Sequence, residues 1–322
     1  MNNDVQIVRS PLDQTHVDAL ASLYGHVPVD SSRYADLSAV KVRRAVPEDA
    51  ETCGRICYEA FTTLHHQHQF PPDFHSVEVA IGLLQMLFSH PQFYCVVAEI
   101  DGQIVGSNCM DERSVIGGIG PISIASNVQN RSIGRLLMRA VMNRAAERGS
   151  AGIRLLQAAF HNRSLALYAK LGFIAREQIA LMHGAPIKQS LSGWTVRPAI
   201  KDDLEPAARV CEKVHGFNRT GELSDGIHQK TAFVVERQGR ITGYTSALGF
   251  VGHAVGESTL DLQALIGAAE TFSGSGILVP TRNSELFRWC LESGLRVIYP
   301  LTLMTIGLYN EPTGAYLPSV LY

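Results

Sequence analysis

The chain has 322 residues, of which 46% are hydrophobic and 18% charged, with a formal net charge of −2. A single hydrophobic core seldom grows beyond about 250–300 residues, so this length predicts two domains. The balanced charge gives no reason to expect nucleic acid or an anionic membrane as a partner. The longest nearly apolar run, Val79 to Phe88, is too short to span a bilayer, and the N-terminus lacks signal-peptide features. We therefore expect a cytoplasmic protein.

Predicted elements begin after a polar leader over residues 1–40, which carries one candidate helix from Thr15 to Gly25. The β-branched stretch from Val40 to Val46 predicts a strand. Pro47 and two acidic residues then open a helix, as the helix dipole favours. The later elements, by periodicity and turn signals, are a helix over 76–88, a hairpin over 93–112, a strand over 117–125, a helix over 133–149, a strand over 152–160, a helix over 162–170 and a strand over 173–182.

The polar stretch over residues 186–193 predicts a linker between a first domain, residues 41–185, and a second, residues 194–322. After this linker the sequence pattern restarts. Three segments recur in the same order: VRRAVPEDA as VRPAIKDDL, VAEIDGQIVG as VVERQGRITG, and NRSLALYAKLGF faintly as NSELFRWCLESGL. A repeat this long indicates two similar domains, not a solenoid.

Six cysteines are scattered along the chain without a CxxC pair, which predicts reduced, packed thiols in place of disulfides or a metal centre. They are Cys53, Cys57, Cys95, Cys109, Cys211 and Cys290.

The segment QNRSIGR, residues 129–135, lies between a predicted strand and a predicted helix. A loop that binds a pyrophosphate needs inward-facing backbone amides and small residues, and the following helix adds about half a positive charge. Gly134 permits close approach, Ser132 is small, and Arg131 and Arg135 supply positive charge. By itself, the segment is equally compatible with an ordinary strand–loop–helix turn.

Two motifs together resemble the GCN5-related N-acetyltransferase (GNAT) family. The acetyl-CoA loop of this family begins with glutamine or arginine. It has glycine three residues after that position, and glycine or alanine two residues after the glycine. This chain has Gln129, Ser132 and Gly134 at those positions, with serine replacing the first glycine. The family's later motif, an asparagine and a helix ending Y-x-K-L-G-F, appears from Asn162 to Phe173.

The phrases GIGPISI, HNRSLALYAKLGF and GAYLPSVLY are similar to those of two-domain bacterial members with a degenerate second domain. The resemblance implies an α/β fold with mixed sheets: a tandem acyl-CoA N-acyltransferase fold of two similar domains. It also implies transfer of an acetyl group from acetyl-CoA, as co-substrate, to the primary amine of a small molecule, without a metal. The second domain keeps a trace of the loop from His253 to Ser258, and Cys290 stands at its tyrosine position, so we expect no transfer there.

The resemblance assigns cofactor contacts by position. Backbone groups of Ile122, Ser123 and Ile124 would bind the pantetheine arm where two parallel strands splay apart. The side chain of Asn162 would also bind the pantetheine, or would be a plain helix N-cap. The pyrophosphate would be held by the loop residues Gln129, Asn130, Arg131, Ser132, Ile133, Gly134 and Arg135.

Tyr168 would act as the acid for the departing thiolate, because a phenol stays protonated at neutral pH. The alternative is that Tyr168 packs against the sheet. Ser132 fits the loop if its φ is negative. A positive φ would cost on the order of 1–2 kcal/mol, which corresponds to roughly tenfold weaker CoA binding. No general base is identified; the candidates at strand ends are Glu99, Asp111, Glu112 and His161, or a chain of water molecules.

The histidine-rich segment from His65 to His75 lacks cysteine or acidic partners at zinc-finger spacing, so a flexible segment over the substrate cleft is expected in preference to a metal site. The tryptophans and the aromatic tail are expected to pack in the core or between domains, although the tail could reach the first domain's cleft. Two alternatives to an enzyme stay open: an acyl-CoA-binding or regulatory module without catalysis, and a scaffold without a cofactor.

Overall fold

The computed structural model describes residues 39–129 and 131–321. The predicted leader, with its helix from Thr15 to Gly25, lies outside the described residues apart from its last two positions. Every helix within these two ranges is too short or too polar to span a membrane.

The first half follows the predicted order of elements closely. The Asp101-Gly102 turn joins β2 to β3 as a hairpin, and Gly172 adopts the left-handed conformation (φ 95°) after the last helix. The elements are β1 Val40–Arg44, α1 Ala50–Gln67, α2 Val77–Ser89, β2 Phe93–Ile100, β3 Gln103–Asp111, β4 Ile116–Ile124, α3 Ile133–Glu147, β5 Gly152–Ala158, α4 Asn162–Lys170 and β6 Ile174–His183.

The second half repeats this order and adds one short strand at its end. Its elements are β7 Thr195–Pro198, α5 Leu204–His215, α6 Thr220–Gln229, β8 Phe233–Arg237, β9 Arg240–Thr245, β10 Ala254–Gly256, α7 Thr259–Ala268, β11 Ile277–Pro280, α8 Ser284–Glu292, β12 Arg296–Gly307 and β13 Ala315–Leu317.

The two halves share a sheet. One sheet has eight strands in the order β1-β2-β3-β4-β5-β12-β6-β11, and a second has five in the order β13-β10-β9-β8-β7. β12 lies between β5 and β6 and pairs with both, while β6 also pairs with β11. In the repeat, β6 corresponds to β12 and β5 to β11. Each half therefore completes its sheet with a strand of the other, and we call β6 and β12 the exchanged strands.

The exchanged strands bear on the predicted domain boundary. The eight-stranded sheet includes β11 and β12, which follow the linker at residues 186–193. Hydrogen bonds join residues 41–185 and residues 194–322 into one sheet. The division into two domains at the linker therefore stays a prediction, which describes the duplication of the sequence.

Helices cover both faces of the first-half sheet. Helix α3 and strand side chains such as Val96 and Ile119 form one buried cluster, and helices α1 and α2 with Cys95 and Val97 form another on the opposite face. The alternation of neighbouring residues 96 and 97 between faces is the two-residue period of a strand. All six cysteines are buried and free, which confirms packed thiols.

The repeat is also visible in a duplicated ion-pair motif. Arg43 in β1 donates to both carboxylate oxygens of Asp49 at 2.7 and 2.9 Å, and to Glu99 in β2 at 2.9 Å. Its counterpart Arg197 donates to Asp203 at 2.7 and 2.8 Å and to the equivalent glutamate of β8 at 2.6 Å. In each half the motif fixes the first strand against the start of the first helix.

These carboxyls have lowered pKa values. At Asp49, burial raises the pKa, but hydrogen bonds from Arg43 and the Val46 amide outweigh that effect. At Asp203, hydrogen bonds from Arg197 are the main cause of the lowered pKa. A carboxyl with a lower pKa in the folded state stabilises the fold above its unfolded pKa of about 3.9, and this contribution disappears as pH falls through the folded value.

We expect Asp203→Asn to lower the free energy of unfolding at pH 7 by about 1–2 kcal/mol, because the charge-assisted bonds to Arg197 are lost. The loss should shrink below about pH 4, as the pH falls toward the lowered pKa of the folded carboxyl. Urea unfolding at several pH values measures this, with Asp49→Asn as the matched variant in the other half. A loss independent of pH would contradict the expectation.

Candidate active site

The first half contains a gap between two parallel strands. Within the described residues, β4 pairs with β5 from Ile116 to Gly118, and the ladder ends there. Beyond that point β4 stays paired with β3, while β5 stays paired with β12 along its whole length. We call the space between residues 119–124 of β4 and residues 155–158 of β5 the first-half gap. Backbone groups along this edge of β4 are available to a strand-like ligand.

Ile122, Ser123 and Ile124 form the end of β4 beside the first-half gap. Ile122 and Ile124 pack toward α3, and Ser123 is buried on the α1 face. The position agrees with the expected pantetheine contact, and the contact itself stays a prediction.

The loop after β4 ends in a left-handed residue. Ser132 has φ 62° and ψ 7° and is the N-cap of α3, although its side chain makes no capping hydrogen bond. The first helical donors are the amides of Arg135 and Leu136, which bond to the Ser132 carbonyl. The amides of Ile133 and Gly134 precede these bonds, as at every helix start, and favour an anion. Ser132 is therefore in the strained case considered above, with positive φ.

The other loop residues divide into two groups. Gln129 Nε2 donates to the Ile124 carbonyl at 3.2 Å, and its Oε1 accepts from Arg163 at 2.6 Å, so this side chain ties the loop to β4 and α4. Arg131 is exposed, Arg135 is partly buried, and Asn130 lies outside the described residues. Two arginines thus stand beside the helix N-terminus, with charge suited to a phosphate.

Gly134 has a packing role. A Cβ at this position would lie 3.0 Å from Ile124 Cδ1 and 3.5 Å from Leu167 Cδ2, so the missing side chain lets α3 pack on β4 and α4. Ile133 contributes its side chain to the core and can offer only its backbone amide to a ligand. Protein atoms, and not a ligand, therefore approach Gly134 closely on the side where a Cβ would lie.

Helix α4 places the later motif. Asn162 is its first residue and is exposed, while His161 is the N-cap, so the alternative of Asn162 as a plain N-cap is wrong. The rings of Tyr168 and Phe173 are in contact, with Tyr168 buried in the same cluster as Ile133. Burial raises the pKa of Tyr168 well above 10, which keeps its phenol protonated.

The expected candidates for a general base are poorly placed or occupied. Glu99 binds Arg43, and Glu112 binds Arg144 at 2.8 Å. Asp111 binds Arg113 and pairs in the sheet with Gly118, at the closed end of the gap. Burial, followed by the charge of a neighbouring arginine, lowers the pKa of His161 to about 4, so this imidazole is neutral and weakly basic.

The histidine-rich segment differs from the expectation of a flexible segment. His65 and His66 belong to the last turn of α1, and His65 is 1% exposed. Residue Gln69 has φ 58° and turns the chain, so that Phe70 donates its amide to the His65 carbonyl at 3.0 Å, as in a Schellman motif. No group of three or more potential metal ligands occurs within the described ranges.

The equivalent gap in the second half is filled by the chain itself. Strand β13 pairs with β10, placing Leu317 opposite Ala254 and Ala315 opposite Gly256. It lies between β10 and β11, the counterparts of β4 and β5. A backbone strand thus occupies the position that a strand-like ligand would take in the first half.

The second-half loop is also closed to an anion. Ser258 caps α7 as Ser132 caps α3, and three residues later Asp261 stands where the first half has Arg135. Asp261 is fully buried and accepts from the Ser258 amide at 2.8 Å and from Trp194 Nε1 at 2.9 Å. A carboxylate therefore already occupies the positive end of the α7 dipole.

Comparisons with known proteins agree with this geometry. Residues 58–173 match the sequence profile of the acetyltransferase (GNAT) family. A proposed acetyltransferase from Pyrococcus horikoshii has a TM-score of 0.68 at 17% identity, covering 90% of this chain and 98% of that chain. A GCN5-related N-acetyltransferase from Sphaerobacter thermophilus has a TM-score of 0.57 at 15% identity, covering 86% and 98%. These likenesses extend over both halves and confirm the expected tandem fold. The search of curated proteins found no match.

Ser132→Gly should relieve the strain of a side chain at φ 62°. We expect the unfolding free energy and the CoA binding free energy to improve by about 1 kcal/mol in total. This total is smaller than the strain, because glycine gives the unfolded chain extra entropy. Urea unfolding and calorimetry with coenzyme A measure the two gains. Ser132→Ala keeps the Cβ and is the control; an equal gain there would show that strain is not the cause.

We expect one coenzyme A per chain, because the second-half gap holds β13 and its helix N-terminus holds Asp261. Calorimetric titration gives the number of sites directly. Arg135→Ala should weaken this single site, whereas a second site of similar affinity would show that β13 can leave its gap.

Proposed function

Since residues 58–173 make up a domain of the acetyltransferase (GNAT) family, we propose that this protein transfers an acetyl group from acetyl-CoA to the primary amine of a small molecule. The observation that carries the proposal is the first-half gap, which opens beside a helix N-terminus flanked by arginines. The family accounts for acyl transfer in general; acetyl-CoA, the amine and a cytoplasmic location are parts of the proposal.

Residues of β4, of the loop before α3 and of the first turns of α3 and α4 would bind the co-substrate. Backbone groups of residues 122–124 pair with the pantetheine arm as a neighbouring strand would. The amides at the start of α3, with Arg131 and Arg135, hold the pyrophosphate. Asn162, exposed at the start of α4, donates its side-chain amide to the pantetheine.

The chemical step requires a neutral amine. Its nitrogen attacks the thioester carbonyl, a carbon–nitrogen bond forms, and the carbon–sulfur bond breaks. Tyr168 donates a hydrogen bond to the thiolate as negative charge develops on sulfur. Because burial raises the pKa of Tyr168, the phenol keeps its proton until that charge appears.

Two other functions remain alternatives. A non-catalytic acyl-CoA-binding or regulatory module is favoured by the strained Ser132 in the loop, and a scaffold would bind no coenzyme A at all. The phenol of Tyr168, which burial keeps protonated, favours the enzyme, because a binding module does not require a proton donor.

Release of free thiol from acetyl-CoA in the presence of a panel of primary amines tests the proposal, together with calorimetry for coenzyme A. Amine-dependent release supports the enzyme. Binding without release by any amine supports the module, and the absence of binding supports the scaffold.

Tyr168→Phe should lower kcat by about 10²-fold or more, with the dissociation constant of coenzyme A changed less than about twofold, because only the developing thiolate uses the hydroxyl. Steady-state kinetics and calorimetry measure the two quantities. Tyr94→Phe, on β2 away from the gap, is the matched control and should leave both unchanged. Full activity of Tyr168→Phe would rule out the acid role.

A further inference from the structure

The second half keeps a cavity beside the strand that fills its gap. This cavity has a volume of about 230 Å³, which is space for several water molecules. It is lined by Thr259 at the start of α7, by Pro280 and Arg282 at the end of β11, by Asn283 before α8, and by residues 314–316 of the tail. We call it the second-half cavity. Strand β13 therefore leaves room for a compact ligand.

The second-half cavity lies where the starts of α7 and α8 meet. Thr259 is the first residue of α7, as Ile133 is the first residue of α3. Asn283 is the N-cap of α8, as His161 is the N-cap of α4. The duplicated frame thus keeps a concave site at this place, although β13 occupies the position of a strand-like ligand.

Asn283 supplies a hydrogen-bond donor to the lining. Its Oδ1 accepts from the Leu286 amide at 3.1 Å, as a helix cap does, and from Thr259 Oγ1 at 3.2 Å. These two donors identify the oxygen, so the other terminal atom of the side chain is the nitrogen Nδ2. Within the described residues Nδ2 donates to no protein acceptor. Its N–H groups are therefore available to a ligand.

Arg282 supplies the positive charge of the lining, and none of the described lining residues is acidic. Its Nη2 donates to Glu177 Oε1 at 3.1 Å. The side chain of Arg282 is 47% exposed, whereas that of Glu177 is 3% exposed. Because a guanidinium has several N–H groups in a planar fork, one bond to Glu177 leaves the others for a second acceptor.

The charge of Glu177 is shared among several cationic groups. Tyr309 also donates to Glu177 Oε1, at 2.6 Å. The guanidinium groups of Arg154 and Arg176 lie 5.3 and 5.0 Å from the centroid of the Tyr309 ring. With Arg282, three arginines thus surround one glutamate, and the local charge is positive. Because Glu177 offsets part of this charge, the site favours an anion with one negative charge over a dianion.

The rest of the lining is mainly apolar. Pro280 and Ala315 are buried and have side chains without donors or acceptors. Tyr316 is 5% exposed, and its ring packs edge-on against His215 with centroids 5.0 Å apart. The second-half cavity therefore combines a charged donor and an amide donor with aliphatic and aromatic surface, a composition typical of a small-molecule site.

We propose that the second-half cavity binds a small organic carboxylate. The carboxylate oxygens accept from the guanidinium of Arg282 and from Nδ2 of Asn283, and the apolar part of the ligand contacts Pro280 and Ala315. A planar carboxylate matches the fork of a guanidinium, and it carries the single negative charge that the site favours. This function goes beyond acyl transfer and does not rest on the proposed function.

The proposed carboxylate site differs from the anion position at the N-terminus of α7. Asp261 takes that position and is bonded to the Ser258 amide and to Trp194. The donors of the second-half cavity are side chains at the start of α8. The expected stoichiometry of one coenzyme A per chain is therefore unaffected.

The test uses the full-length protein and sodium butyrate as the probe, with binding followed by nuclear magnetic resonance of the ligand at constant ionic strength. We expect a dissociation constant of about 1 mM, a value typical of very small ligands. Butyramide has the same shape without the charge and should bind at least about tenfold more weakly. Equal binding of butyramide, or no binding of butyrate, would overturn the proposal. Stronger binding of inorganic phosphate than of butyrate would overturn the carboxylate class.

Arg282→Gln should weaken butyrate binding by at least about tenfold, because the charge and the fork are lost. Arg288→Gln is the matched control, since Arg288 is exposed on α8 and lies outside the lining; its affinity for butyrate should be unchanged. Undiminished binding by Arg282→Gln would overturn the assignment. Because this substitution also removes a donor from Glu177, a second variant that keeps the pair of Arg282 and Glu177 is required.

Asn283→Asp is that second variant. An aspartate still caps α8, so urea unfolding should show a stability close to that of the wild type. The substitution replaces the Nδ2 donor by a negatively charged oxygen, and butyrate binding should weaken by at least about tenfold. Wild-type affinity for butyrate in this variant would overturn the proposal.

Arg135→Ala distinguishes the second-half cavity from the first-half gap. This substitution lies at the start of α3, so it should leave the affinity for butyrate unchanged. A loss equal to that of Arg282→Gln would place butyrate in the first half and overturn the inference. The proposed acetyl transfer is tested separately by thiol release, because none of these titrations requires turnover.

Discussion

The backbone hydrogen bonds of the exchanged strands are the constraint on which the rest of the molecule depends. β12 pairs with β5 on one side and with β6 on the other, so the edge of the first-half gap is held by a strand of the second half. Unpaired backbone groups in a sheet are costly when buried, and each half would expose such groups without the other. The two halves therefore hold β5 in place together.

The two halves share this strand exchange, but one gap is open and the other is filled. In the first half β4 and β5 separate beside a helix whose N-terminus is flanked by Arg131 and Arg135. In the second half β13 fills the space and Asp261 caps the helix. The first half is therefore open to a strand-like anionic ligand. In the second half, β13 takes the place of the strand-like ligand and Asp261 supplies the negative charge at the helix N-terminus. This difference shows how a duplicated domain can keep its fold while its own chain fills the gap.

Elements with local signals were predictable. Strand β2, helix α4 and the left-handed Gly172 follow from alternation, helical spacing and a helix-stop glycine. The loop at residues 129–135 was predicted as a pyrophosphate site from small and basic residues next to a strand, and that role stays a prediction. The hydrogen bond between Tyr299 and Asp73 could not be predicted, because the two residues are 226 apart and neither has a motif; their contact depends on the strand exchange.

The sequence by itself determined the family resemblance, the duplication and the candidate loop, since each resides in short-range pattern and residue type. The tertiary structure decided three things: that Ser132 is left-handed, that His65 is buried, and that β13 occupies the second gap. The reason is physical: φ at a loop residue, burial of a histidine and pairing of a tail strand are set by long-range packing and hydrogen bonding. Local sequence does not encode which distant strand will satisfy a given edge.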